Sequence, residues 1–132
     1  MKASREQVFQ AWTDCENWPK WQTLFTRVTI AKRDGNTVYL DTEVKMMGRK
    51  ARRTEKHVLT PPERVDVEGE MEGNTNTTVW KFEPVPEGTR VTAEVEARLP
   101  LRLRVLGPFV KRQFQALLRE WMQELAKYVE AK

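Results

Sequence analysis

Arg53, Glu55 and His57 stand at two-residue steps within one polar stretch, Arg49 to Thr60. In an extended strand, alternate residues share a face, so these side chains would stand roughly 6–7 Å apart along one side. A guanidinium, a carboxylate and an imidazole in a row can orient a carbonyl, a phenol or a carboxylate. His57 can also give or take a proton near neutral pH. Ala51 and Leu59 share the register of the trio, which turns it toward the apolar side of the strand. A buried charge has to be paired, so Arg53 and Glu55 would then need each other or a ligand. The competing reading twists this strand at an edge and leaves all three in water. Tyr39 is a fourth candidate for carrying a proton.

Other chemistries lack their residues. His57 is the single histidine, so a multi-histidine metal site is excluded. Cys15 is the single cysteine, which rules out an internal disulfide and a cysteine-rich zinc site. No G-x-S-x-G elbow and no G-x-x-x-x-G-K loop occur. Neither a metal nor a cofactor is therefore expected. Cys15 lies far along the chain from His57 and reads as a buried structural thiol. Trp18 and Trp21 either guard a pocket mouth or anchor a bend, and tryptophans at a helix bend are more often anchors.

The trio must be positioned by the elements around it. Ser4-Arg5-Glu6-Gln7 is a capping box, and Val8, Phe9, Ala11 and Trp12 give the helix it opens an apolar face. Asp14 can start a second short helix through Trp21, where Pro19 is tolerated only in a first turn. Strands follow at Phe25–Arg33, Thr37–Met47, Arg49–Thr60, Arg64–Met71, Thr77–Glu83 and Thr89–Leu99. Each alternates apolar and polar residues, and turn signals separate them: Asp34-Gly35-Asn36, Gly48, Pro61-Pro62, Gly73-Asn74-Thr75-Asn76 and Pro84 to Gly88. Short turns make neighbours antiparallel, and single-sided alternation leaves one face for water.

The last quarter reads differently. Val110, Phe114, Leu117, Leu118, Trp121, Leu125, Tyr128 and Val129 recur at steps of three, four and seven. A helix from about Pro108 to Ala131 would be about 36 Å long with this stripe on one side. Such a helix needs a wide apolar partner, and the sheet supplies the only one. The expected fold is α+β: a curved antiparallel sheet of about six strands gripping one long C-terminal helix, with two short helices near the N-terminus. Residues 1–132 are expected to form one domain. A helix gripped by a curved sheet often leaves a cavity, which points to a binding pocket.

Composition narrows the partners. The net charge is +4, from 23 basic and 19 acidic residues, well short of a nucleic-acid binder. Basic residues cluster at Lys45, Arg49, Lys50, Arg52, Arg53 and Lys56, and again at Arg98, Arg102, Arg104, Lys111 and Arg112. These clusters read as solvated faces first. The sharper reading is attraction to an anionic ligand or peripheral contact with an acidic membrane. No apolar run is long enough to span a bilayer, and MKASREQVFQ is too polar for a signal peptide, so the chain is placed in the cytoplasm by default.

The order of these elements resembles the START-like helix-grip superfamily, also called the polyketide cyclase/dehydrase and lipid-transport superfamily, coenzyme Q-binding-like proteins included. Four local words carry the likeness: Ala3 to Phe9, Asp14 to Trp21 (D-x-E-x-W-P-x-W), Thr60 to Val65 and Glu87 to Thr92. The resemblance implies a cavity between the concave sheet face and the long helix. Carried over, its walls are Leu40, Val44, Met46, Val67, Met71, Trp80, Phe82, Val95, Phe114, Leu118 and Trp121, with Arg53 and His57 as polar members. The alternative for each residue is ordinary packed core. It implies binding of a hydrophobic small molecule: a lipid, a quinone or a polyketide-like aromatic. Two other functions occur in the superfamily. One is a polyketide aromatase/cyclase or dehydrase, with Arg53, Glu55, His57 or Tyr39 moving protons. The other is a protein-interaction or chaperone-regulating module with a filled core.

The likeness has one departure. Family members usually begin with a strand beside the last one, and only Met1, Lys2 and Ala3 precede Ser4 here. Either the true N-terminus lies upstream or the sheet has six strands; without the first strand, the edge of Thr89–Leu99 is expected to be covered by a loop or by self-association as a homodimer.

Overall fold

In the computed structural model, the described residues are 1–22, 24–46, 48–71, 73–98 and 107–130, without the side chains at 46, 97, 98, 107, 110, 111 and 114. Met47, Leu99, Arg102, Arg104 and most of the expected connection 100–107 lie outside them, as do the side chains of Met46, Arg98, Val110, Lys111 and Phe114.

Helix α1 spans Arg5–Thr13. The capping box forms as expected: Gln7 N donates to Ser4 Oγ at 3.2 Å, and Ser4 N donates to Gln7 Oε1 at 3.1 Å. The helix buries Val8, Phe9 and Trp12. A 3-10 helix follows at Cys15–Lys20; it stops one residue before the expected Trp21, and Pro19 lies inside it instead of in its first turn. Asp14 precedes it, but its carboxylate accepts from Asn17 Nδ2 at 2.6 Å instead of capping the backbone. Buried Gln22 then fastens the chain into the sheet. Its Nε2 donates to the carbonyls of Trp18 and Phe25 at 3.0 and 2.7 Å, and its Oε1 accepts from Phe25 N at 2.7 Å.

The sheet comprises β1 (Phe25–Asp34), β2 (Thr37–Met46), β3 (Arg49–Thr60), β4 (Arg64–Met71), β5 (Asn74–Val85) and β6 (Gly88–Arg98). The six strands pair antiparallel in sequence order. Register irregularities between Phe25 and Arg27 and between Ile30 and Lys32 interrupt the β1–β2 ladder, the kind of defect that bends a strand. Two turn expectations need correction here: the turn expected over Pro84 to Gly88 closes tighter, because Val85 pairs directly with Gly88. The turn expected over Gly73–Asn76 is tighter, because Met71 pairs directly with Asn74. Asn76 and Thr78 therefore enter β5 in phase with Trp80 and Phe82, on the buried face.

The chain's first residues partly cover the β6 edge. The Met1 amino group donates to Thr89 O at 2.7 Å, and Thr89 N donates to Met1 O at 2.9 Å. Thr89 Oγ1 adds a bond to Ala3 O at 2.8 Å. Gly88 is needed at this contact: a Cβ there would collide with the Met1 carbonyl.

Helix α2 spans Gly107–Glu130 and packs against β6 and α1. Its grip lies toward its C-terminal end, where Trp121, Leu125 and Val129 are buried. Leu117 and Leu118 are half-buried, and Phe109 is 60% exposed. Burial therefore deepens along the helix toward its C-terminus. Among the described residues, no helix is long and apolar enough to cross a membrane.

Candidate functional site

The β3 alternation holds. Arg53, Glu55 and His57 all point to the concave side and are buried, while Arg52 and Thr54 face outward. Thr42 of β2 steadies the strand, its Oγ1 donating to Arg53 O at 2.7 Å. Glu55 bridges the other two side chains. Arg53 Nε donates to Glu55 Oε2 at 2.6 Å, and His57 Nε2 lies 2.7 Å from Glu55 Oε1.

Burial by itself would push the Glu55 carboxyl up. No single interaction outweighs it, but the Arg53 charge, the hydrogen bond and charge of His57 and the bond from Arg53 together do, and the carboxyl drops from 4.5 to about 2. An ionised carboxylate only accepts, so His57 Nε2 carries the proton donated to it. Nδ1 lies 3.9 Å from Cys15 Sγ.

Thus Cys15 and His57, distant in sequence, are neighbours in the fold. The expectation of a structural thiol still stands. Burial, then the charges of Glu55 and Asp14, raise the Cys15 thiol well above its ordinary value, so it stays protonated and weakly nucleophilic.

Arg53 is seated by β4. Glu55 pairs with Gly69 across the β3–β4 ladder, and a Cβ at Gly69 would occupy the space of the Arg53 guanidinium. Gly69 leaves room for the guanidinium to lie across the sheet.

Beside this ion pair is a cavity of about 70 Å³. Its apolar wall comes from Trp12 of α1, Trp18, Phe25, Val44, Val67, Met71 and Trp80 below, and Leu117, Leu118 and Trp121 of α2 above. Its polar wall is Arg53, Glu55, Asn76 and Thr78. All five tryptophans of the chain join in one aromatic cluster, with successive ring centroids 5.0–5.9 Å apart, and Trp12, Trp18, Trp80 and Trp121 of it line the cavity.

The candidates named from sequence divide by position. Val44, Arg53, Val67, Met71, Trp80, Leu118 and Trp121 border the cavity. Leu40, Phe82 and Val95 are buried in packed core away from it. His57 lies behind the wall, 5.1 Å from the Trp12 ring and 5.9 Å from the Trp18 ring by centroid. Tyr39 is 37% exposed and borders a charged trough with Asp41, Arg52 and Lys56, so strand alternation carries it away from Glu55. The side chains of Met46 and Phe114 lie outside the described residues. Sequence reasoning overlooked Trp12, Leu24, Phe25, Asn76, Thr78 and Leu117 as wall residues. For Asn76 and Thr78 a signal existed, because they continue the two-residue step of Trp80 and Phe82 backwards.

The family described as "Polyketide cyclase / dehydrase and lipid transport" matches residues 1–130. The chain belongs to this family. No curated protein matches it. Among solved structures, TTHA0849 from Thermus thermophilus superposes with a TM-score of 0.83 at 23% identity, over 99% of this chain and 92% of that one. A START superfamily protein from Mycobacterium smegmatis gives 0.80 at 20%, over 99% and 92%. The di-domain aromatase/cyclase StfQ of the steffimycin biosynthetic pathway gives 0.85 at 16%, over 98% of this chain and 48% of that two-domain protein. At these identities the likeness is one of fold: the family's sheet-and-helix grip is shared, with the helix α2 across the concave face.

Proposed function

We propose that this family member binds a hydrophobic small molecule with one polar end, in the cavity between the sheet and α2. The observation that carries the reading is the two-sided wall. Indole and aliphatic groups form most of it, and the Arg53–Glu55 pair with Asn76 and Thr78 forms one end. Small-molecule sites have this composition: mostly apolar, with a few converging polar groups. A volume of about 70 Å³ is below the roughly 300–1,000 Å³ usual for such sites, so a lipid, quinone or polyketide chain would enter by moving Leu117, Leu118 and Trp121 away from the sheet.

The aromatase/cyclase reading is favoured by Arg53 and Glu55 at the wall and by the fold shared with StfQ. Arg53 would orient a ketone oxygen there. Against turnover, efficient proton transfer needs a group whose pKa lies near the working pH. Glu55 at about 2 is a poor base, and His57 does not touch the cavity. Binding is therefore the better supported function.

Native mass spectrometry of the protein purified from its own host should show a complex heavier than the bare chain by the ligand mass. Leu118→Trp puts an indole into the cavity and should abolish that complex while the far-UV spectrum is unchanged. An equal ligand load on the folded variant removes the proposed site.

A further inference from the structure

Arg53 brings a positive charge to the cavity, and Glu55 cancels it at the same wall. Both side chains are buried, 8% and 7% exposed, and both border the cavity. Among the described residues that line it, they are the single cation and the single anion. The guanidinium donates to Glu55 through Nε, so its two Nη groups keep N–H donors for another partner. The remaining polar members, Asn76 and Thr78, are 5% exposed each. One long bond joins them, Asn76 Nδ2 donating to Thr78 Oγ1 at 3.4 Å. An amide and a hydroxyl can each donate and accept.

A ligand anion would meet both signs here. It would share Arg53 with a carboxylate already 2.6 Å from the guanidinium, and that carboxylate repels it. His57, 2.7 Å from the other Glu55 oxygen, leaves this balance unchanged while its ring is neutral. A buried charge without a counter-charge of its own is costly, because it loses its hydration. An uncharged group avoids that cost. It can accept from an Arg53 Nη and donate to Asn76 or Thr78, as an amide, an alcohol or a phenol does.

We infer that Glu55 is a specificity-determining residue: as the built-in counter-ion of Arg53, it closes the polar end of the cavity to anions and leaves it to uncharged groups that both donate and accept. The inference rests on the ligand-binding reading above and deepens it. A neutral amphiphile binds and its carboxylate counterpart is rejected, although a buried arginine alone would select the carboxylate.

Benzamide and benzoate test this, since they share a ring and a planar head of the same size and differ in charge. Isothermal titration of the wild-type chain at about pH 8 should show benzamide binding at least about 10-fold more tightly than benzoate. Glu55→Gln removes the counter-ion and keeps the side-chain shape, so benzoate should become the tighter ligand. Glu55→Asp keeps the charge and should keep benzamide ahead. Benzoate should also raise the thermal midpoint of Glu55→Gln, and not that of the wild-type chain, because the ligand then supplies the missing negative charge.

Benzoate binding the wild-type chain as tightly as benzamide would leave the cavity as a site and overturn the charge selection alone. A benzamide preference that survives unchanged in Glu55→Gln would also overturn it, since the carboxylate of Glu55 would not be its source. Failure of both probes to bind the wild-type chain at millimolar concentration would overturn the cavity as a ligand site, and this inference with it. Should Glu55→Gln not fold, the wild-type ratio still decides between these results.

Discussion

Glu55→Gln isolates the buried charge that holds the polar wall together. The substitution keeps the shape of the side chain and removes its charge, leaving the Arg53 guanidinium buried without a counter-ion. Its effect can be worked from the carboxyl. Glu55 ionises at about 2 in the fold against 4.5 as its ordinary value. That drop, at about 1.4 kcal/mol per pH unit, makes the ionised form contribute about 3 kcal/mol at pH 7. Breaking a buried ion pair by removing one partner costs about 3–5 kcal/mol, the same scale. Because the folded value is depressed, the contribution is complete above the unfolded value near 4.5 and is lost as pH falls toward 2. At pH 3 about half of it remains, about 1.5 kcal/mol. Urea unfolding followed by tryptophan fluorescence measures this directly, since the tryptophan cluster sits in the core. The wild-type chain should exceed Glu55→Gln by about 3 kcal/mol at pH 7, a midpoint difference of about 1–3 M urea. The gap should narrow by about half at pH 3. A gap below about 1 kcal/mol at pH 7, or one that does not change between the two pH values, refutes the ion-pair argument.

Two further outcomes follow from the same region of the core. Gly69→Ala would ordinarily stabilise a strand by roughly 0.5–1 kcal/mol. Here the new Cβ displaces the Arg53 guanidinium from Glu55, so a net loss of about 1–3 kcal/mol is expected in the same urea assay; a stabilised variant would show that Arg53 is not seated on Gly69. Cys15 should react with a disulfide reagent such as DTNB at pH 7 at least about 100-fold more slowly in the folded chain than in urea, because the thiol is both buried and held protonated. Rapid labelling of the folded chain would point instead to a thiolate paired with His57.

Local rules carried the elements a long way. The capping box at Ser4, the two-residue alternation of β2, β3 and β4 and the apolar stripe of α2 are each set by residues a few positions apart, and the same spacing recurs in the folded chain. Strand alternation also turned Arg53, Glu55 and His57 inward, because Ala51 and Leu59 share their register. The β4–β5 turn escaped this logic. Gly73-Asn74-Thr75-Asn76 has turn chemistry throughout, but pairing of Met71 with Asn74 drew three of those residues into β5, since a tight turn leaves fewer backbone groups unpaired.

What the sequence determined by itself is which residues are apolar, which can ionise and which share a face, since periodicity is a property of neighbours along the chain. The tertiary structure decided which faces meet. It set Cys15 against His57 across 42 positions, buried His57 behind two indoles, and brought Trp12, Trp80 and Trp121 from three separate elements to one wall. It also set the cavity near 70 Å³, a space defined by the distance between α2 and the sheet. That distance follows from the shapes of many side chains packed at once, and no spacing along the chain encodes it.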